Sequence, residues 1–161
     1  MVRNLRNVLG FRGERIVELC LSEYREFAAP LFSPGFLGDR WPAIDFYVEL
    51  NEVPGKRLYF FAQAKATASS LTNDSGHLIV STKKADVGRL LSIPGPTYIL
   101  GVHEPSQRVF VRSVHTGIPV AAITRIPVSH ELTGTNLRLL HEEVRDFWLS
   151  TGLKPTRSVF A

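Results

Sequence analysis

Trp41-Pro-Ala-Ile-Asp-Phe-Tyr-Val-Glu-Leu50, Asn51-Glu-Val-Pro-Gly-Lys56 and Arg57-Leu-Tyr-Phe-Phe-Ala-Gln-Ala-Lys65 follow one another without a break. The outer two segments are strand-like and the middle one holds a Pro-Gly turn, so the stretch predicts a β-hairpin over about 42–66. Side chains alternate faces along a strand. Asp45, Tyr47 and Glu49 then share one face of the first run, and Tyr59, Phe61, Gln63 and Lys65 share one face of the second. A pivot at Pro54 sets Asp45 opposite Gln63, with Lys65 as a diagonal neighbour; a slip of two residues brings Lys65 opposite instead. A slip of one would turn Asp45 to the wrong face. Either even register gathers an acid, an amide and an amine in runs that otherwise read as core. A charge in such a place needs a partner, a metal or a chemical role.

A carboxylate with an amide or backbone oxygen suits Mg²⁺, which prefers oxygen ligands and keeps several waters. An ammonium beside them can steer an attacking water and balance phosphate charge, while the metal acts as Lewis acid. Spacing alone also admits a plainer reading, a cross-strand Asp45–Lys65 ion pair beside a hydrogen-bonded Gln63.

Ala43-Ile44-Asp45 followed by Gln63-Ala64-Lys65 resembles the core motif of the PD-(D/E)XK nuclease superfamily, in the Mrr-type variant that carries Gln at the second acidic position. The chain is also similar to a restriction-endonuclease-like bacterial domain of unknown function. That domain's later signature is a proline, a β-run, a polar turn and a second β-run. Its counterparts here are Pro96–His103, Glu104–Gln107 and Arg108–Val114. The resemblance spans about residues 9–150, although its sharp part is four or five residues.

The resemblance implies an α/β domain of restriction-endonuclease-like type, with a mixed central sheet flanked by helices. It implies a Mg²⁺- or Mn²⁺-dependent endonuclease that hydrolyses DNA phosphodiester bonds in restriction, phage defence or repair. Asp45, the Ala64 carbonyl and Gln63 would bind the metal, and Lys65 would position the water. Gly10, followed four places later by Glu14 at the opening of the first helix, also fits the superfamily pattern and makes Glu14 a support of the metal shell. The helix read alone puts Glu14 at the border of its apolar stripe, with Glu18 further toward solvent; an acid there also suits the positive helix N-terminus. DNA is the implied partner, alongside a homodimer or a partner protein of a defence or repair system. Two departures stand out. Gln63 is neutral, and Trp41-Pro42 replaces a Gly-rich approach to the aspartate. They keep open a catalytically inactive module of the same fold that binds DNA or partner proteins in a defence complex, and an adaptor with a fortuitous ion pair.

Length and composition are compatible with these readings. The chain has 161 residues, 44% of them hydrophobic, which predicts one domain with a true core. The net charge of +4 suits a polyanionic partner. Arg3, Arg6, Arg12, Arg15 and Arg25 near the first helix, and Lys83, Lys84 and Arg89 after the central strands, are candidate phosphate contacts or ordinary surface charge. No apolar run reaches the roughly 18 residues of a membrane span. The opening Met1–Asn7 lacks a signal peptide's apolar core. A single cysteine, Cys20, excludes an internal disulfide and reads as a buried thiol on the first helix. A cytoplasmic protein is expected. The histidines at 77, 103, 115, 130 and 141 lack zinc-site spacing. Neither a nucleophile elbow nor a P-loop is present.

Along the chain the pattern predicts a helix over about 11–29, then a Pro/Gly loop over 30–39 with room for a short strand. After the hairpin come a polar loop over 67–76, with a turn at 73–76, and a short strand over 77–81. A helix over 82–91 follows, N-capped by Thr82. Strands are expected over 97–103 and 107–114, then an edge strand over 120–127 because of its proline. A last helix over 135–150 carries an apolar stripe of Leu137, Leu140, Val144, Phe147 and Trp148. The tail from Lys154 to Ala161 reads as loose. Tyr47 and Tyr59 are candidate stacking residues or plain packing.

Overall fold

The computed structural model describes residues 4–69, 71 and 76–151. The tail over 154–161 and the turn residues 73–75 lie outside the described residues.

The first helix, α1 (Leu5–Leu21), starts earlier and ends earlier than the periodicity predicts. Asn4 explains the start, because its side chain accepts the Arg6 backbone N–H at 3.1 Å and caps the helix. At the other end the Ser22 hydroxyl folds back onto the Glu18 carbonyl at 2.7 Å. The segment that follows turns and feeds β1 (Phe32–Phe36), the short strand the loop had room for. The hairpin forms as β2 (Phe46–Leu50) and β3 (Tyr59–Thr67). β4 (His77–Ile79) precedes α2 (Lys84–Leu91). β5 (Thr97–His103) and β6 (Arg108–Val114) match the expected pair, and β7 (Arg125–Pro127) precedes α3 (Gly134–Ser150).

Five strands form a mixed sheet in the order β1-β2-β3-β5-β6, with β3 and β5 parallel and the other neighbours antiparallel. A parallel pair requires a crossover, and the segment carrying β4 and α2 supplies it. Every residue of β5 is buried, as befits a strand covered on both faces. One face carries α1 and α3, where Val17, Leu21, Phe46, Phe60, Leu100, Leu137 and Val144 pack together. On the opposite face Leu78, Val87, Leu90, Ile99, Phe110 and Ile126 form a second core under α2 and a two-stranded sheet of β4 and β7. Gly101 makes that second layer possible. A Cβ there would fall 2.7 Å from both Leu78 and Ile126, so only a hydrogen fits.

Two expectations are corrected. Thr82 does not cap α2. Its hydroxyl instead donates to the Ile123 carbonyl at 2.6 Å and accepts the Ile123 N–H at 2.7 Å, tying the crossover to the later loop. The run at 120–127 is an edge strand as expected, but it yields only the three residues of β7, which pair with β4 in a separate two-stranded sheet. Cys20 is half-buried against the Leu132 carbonyl, and burial pushes its thiol up to about 12. No helix among the described residues is long and apolar enough to cross a membrane.

Candidate active site

The β2–β3 register is the one obtained by pivoting on Pro54: Phe46 faces Ala62, Tyr47 faces Phe61 and Glu49 faces Tyr59. The alternation breaks one residue before Phe46. Ala43 sits at φ +66°, a left-handed conformation rare outside glycine, and the Ile44 N–H closes a turn onto the Trp41 carbonyl at 3.2 Å. The Asp45 N–H then donates to the Ala62 carbonyl at 3.0 Å, although Ala62 already faces Phe46. The strand therefore bulges at Asp45, and bulges re-aim side chains.

The Asp45 carboxylate consequently does not lie on one sheet face beside Gln63. Its Oδ2 accepts the Ala64 backbone N–H at 2.7 Å, where the next rung of the ladder would have been. Strand N–H groups point along the sheet plane, so Asp45 closes the end of β2 within that plane. The Ala64 carbonyl points to the same edge as its N–H, toward the aspartate.

Two sheet faces contribute the remaining groups. Gly13 of α1 is buried, and a Cβ on it would lie 2.6 Å from the Ala66 Cβ. That contact seats α1 directly on β3 and brings the next residue, Glu14, into the field of Asp45. Gly10, the glycine of the motif, has nothing near its absent Cβ, so the close approach belongs to Gly13. Gln63 and Lys65 project toward the other core, opposite Ile99 and Gly101 of β5. Gln63 is only 4% exposed, and its Oε1 has no hydrogen-bond partner among the described residues. The Lys65 ammonium lies 3.9 Å from Asp86 in the first turn of α2, and Asp86 also takes Arg89 at 3.2 Å. Asp86 is the member of this cluster that hairpin reasoning missed. A basic residue three places after an acid on a short helix was the only local signal, and it does not point to Lys65.

The plainer sequence reading thus differs from the structure in both halves: the lysine pairs with Asp86, and the glutamine oxygen is unpaired. Electrostatics mark the same place. Burial raises the Asp45 carboxyl above its ordinary range, against the lowering pull of the Ala64 N–H and Lys65, and Asp39 and Asp86 add to the rise. Burial likewise raises Glu14, reinforced by Asp45 and Asp39. Half-buried acids that repel one another favour either a proton or a cation.

The donor set fits an oxygen-preferring divalent ion. Asp45 and the Ala64 carbonyl lie in the sheet plane, Gln63 on one face and Glu14 on the other, and all four are hard oxygen donors of the type such an ion takes. It is not a multi-acid or histidine centre: among the described residues no group of three or more His, Cys, Asp or Glu side chains is placed to hold a metal. Tyr47 and Tyr59 stack on each other, with centroids 5.3 Å apart, and Tyr59 meets Trp148 at 4.9 Å, so both serve as packing. Arg12 pairs with Glu104 and Arg15 with Glu18, which leaves neither as a bare cation.

No family model matches the chain, and no curated protein matches it. Solved structures do. A bacterial homing endonuclease superposes with a TM-score of 0.54 at 14% identity, over 90% of this chain and 97% of that one. A nuclease from a fusselovirus superposes with a TM-score of 0.51 at 12% identity, over 92% of this chain and 98% of that one. At such identities the likeness is one of backbone architecture, and the mixed five-stranded sheet with its flanking helices is a nuclease-like fold.

Proposed function

We propose that this chain is a divalent-cation-dependent DNA endonuclease of the PD-(D/E)XK type, with Gln63 at the second acidic position. The observation that carries the reading is the buried Gln63 oxygen, unpartnered among the described residues, on the strand whose next residue, Ala64, holds the re-aimed aspartate through its N–H. Leaving a buried acceptor unpaired costs about 1–3 kcal/mol. A structural ion-pair cluster gives no reason to tolerate that cost, whereas a cation site uses the lone pair.

In this reading Asp45, the Ala64 carbonyl and Gln63 would hold the cation, and Glu14 would support the site from the α1 face. When bound, Mg²⁺ or Mn²⁺ would polarise the phosphate and acidify a water. Lys65 orients that water and offsets the charge developing on phosphorus. The partly buried setting strengthens both effects relative to bulk water. The likeness to a homing endonuclease and a viral nuclease supports DNA as the substrate class.

A second reading, a DNA-binding module that no longer cuts, draws support from the Lys65–Asp86 pair, which turns the ammonium away from Asp45. The deciding experiment incubates purified protein with linear, nicked and single-stranded DNA, in EDTA and with Mg²⁺ or Mn²⁺, beside Asp45→Ala and Lys65→Ala. Cation-dependent products that vanish in both variants support the nuclease. Salt-dependent binding without product in any metal supports the module.

A further inference from the structure

Lys65 has two anionic neighbours, and the structure shows it pairing with only one. Asp86 lies 3.9 Å from its ammonium, and that carboxylate has a side-chain exposure of 14%, against 27% for the lysine. Asp45 also feels the lysine's charge, but its Oδ2 is bonded to the Ala64 N–H instead. The two acids come from different elements. Asp45 immediately precedes β2, whereas Asp86 stands in the first turn of α2, on the sheet face where Lys65 projects beside Gly101. Arg89 lies 3.2 Å from the other Asp86 oxygen and holds that carboxylate from its second side.

We propose that Asp86 is a positioning residue that keeps Asp45 open to a divalent cation, by holding the Lys65 ammonium on the α2 side of the sheet. Without it, Asp45 is the half-buried acid that still feels the charge of Lys65. An ammonium there would neutralise the carboxylate and compete with the metal for it. The sequence places Asp86 twenty-one residues beyond Lys65, across the polar loop, so the crossover sets the pairing. This inference rests on the metal-site reading above and deepens it. Asp86 touches neither metal nor phosphate in this scheme; it acts through the lysine.

The test is a double-mutant cycle on Mn²⁺ affinity, measured by calorimetry without DNA, together with crystal structures of the metal-free variants. Asp86→Asn is expected to weaken Mn²⁺ binding by roughly 10–100-fold, the usual range for a residue that supports a metal ligand. Lys65→Met alone is expected to change it little. In the Lys65→Met background the Asp86→Asn effect is expected to disappear, because no ammonium remains to move. An equal loss with or without Lys65 would mean that Asp86 acts only through its own charge and would overturn the proposal, as would an unchanged affinity in Asp86→Asn. The crystallographic arm needs neither metal binding nor cleavage. In metal-free Asp86→Asn the Lys65 Nζ is expected within salt-bridge distance of the Asp45 carboxylate; a lysine still directed at α2 overturns the idea. Should the wild-type protein bind no Mn²⁺, the metal-site reading fails on that result, and the lysine's position in the variant still decides the role of Asp86.

Discussion

The two ends of the central β3–β5 pair treat buried polarity in opposite ways. Where β5 begins, the Thr97 hydroxyl donates to the Val114 carbonyl at 2.8 Å, and the Tyr98 hydroxyl donates to Glu143 at 2.6 Å. Nearby on α3, buried His141 meets the Asn51 carbonyl at 2.7 Å. Each polar group placed in that core has its partner, the usual condition for a stable interior. Where β3 ends, Gln63 Oε1 is unpaired among the described residues, and Glu14 and Asp45 are pushed toward protonation. One end is built for stability. The other accumulates unfavourable terms around a single aspartate, and such terms cluster at functional sites.

The largest expected effect tests whether the second end does chemistry. Lys65→Ala should lower any cation-dependent DNA cleavage by at least about 10²-fold, in line with loss of a group that assists proton transfer. Circular dichroism and thermal melting should show the fold intact. Full activity in this variant would remove the lysine from the mechanism.

Next comes the seat of Glu14. Gly13→Ala would force a methyl into the Ala66 Cβ. Overpacking of this kind costs about 1–3 kcal/mol, so a lower midpoint in urea is expected, with weaker cation binding as α1 lifts. Gly10→Ala, in open space, should leave both unchanged or slightly raise stability through helix propensity.

A matched pair of substitutions bears directly on the contrast. Tyr98→Phe breaks a satisfied hydrogen bond and should destabilise the metal-free protein by about 1 kcal/mol. Gln63→Met removes an unsatisfied oxygen at similar volume and should be neutral or stabilising by about 1 kcal/mol in denaturant melts without metal. Destabilisation of similar size by both would mean that the two ends do not differ.

The smallest effect is in pH dependence. Because the folded Asp45 carboxyl lies above its ordinary value of 3.8, the native state holds that proton more tightly than the unfolded chain. Its contribution to stability is therefore full below about 3.8 and is lost as pH rises through the folded value. Asp45→Asn should match the wild type at low pH and melt higher at neutral pH without metal. Equal melting points across that range would show that the aspartate is not disfavoured.

Much of this was legible in the residues. The Pro54 pivot gave the observed register because a period of two and a short turn leave few alternatives, and the apolar stripe over Leu137, Leu140 and Val144 did cover the sheet. α1 was misplaced because its start depends on Asn4 rather than on periodicity. The proline in the 120–127 run marked an edge strand, but not that it would shrink to three residues and pair with β4 outside the main sheet.

Local order along the chain sufficed to set the pairing of β2 with β3, and with it the common strand of Gln63, Ala64 and Lys65, since strand pairing is a short-range rule. It could not reveal the bulge that swings Asp45 into the sheet plane, the Gly13–Ala66 contact that seats Glu14, or the capture of Lys65 by Asp86. Those depend on how α1 and α2 dock on opposite faces. Docking follows from side-chain volume and charge brought together over long chain separations, which no periodicity records.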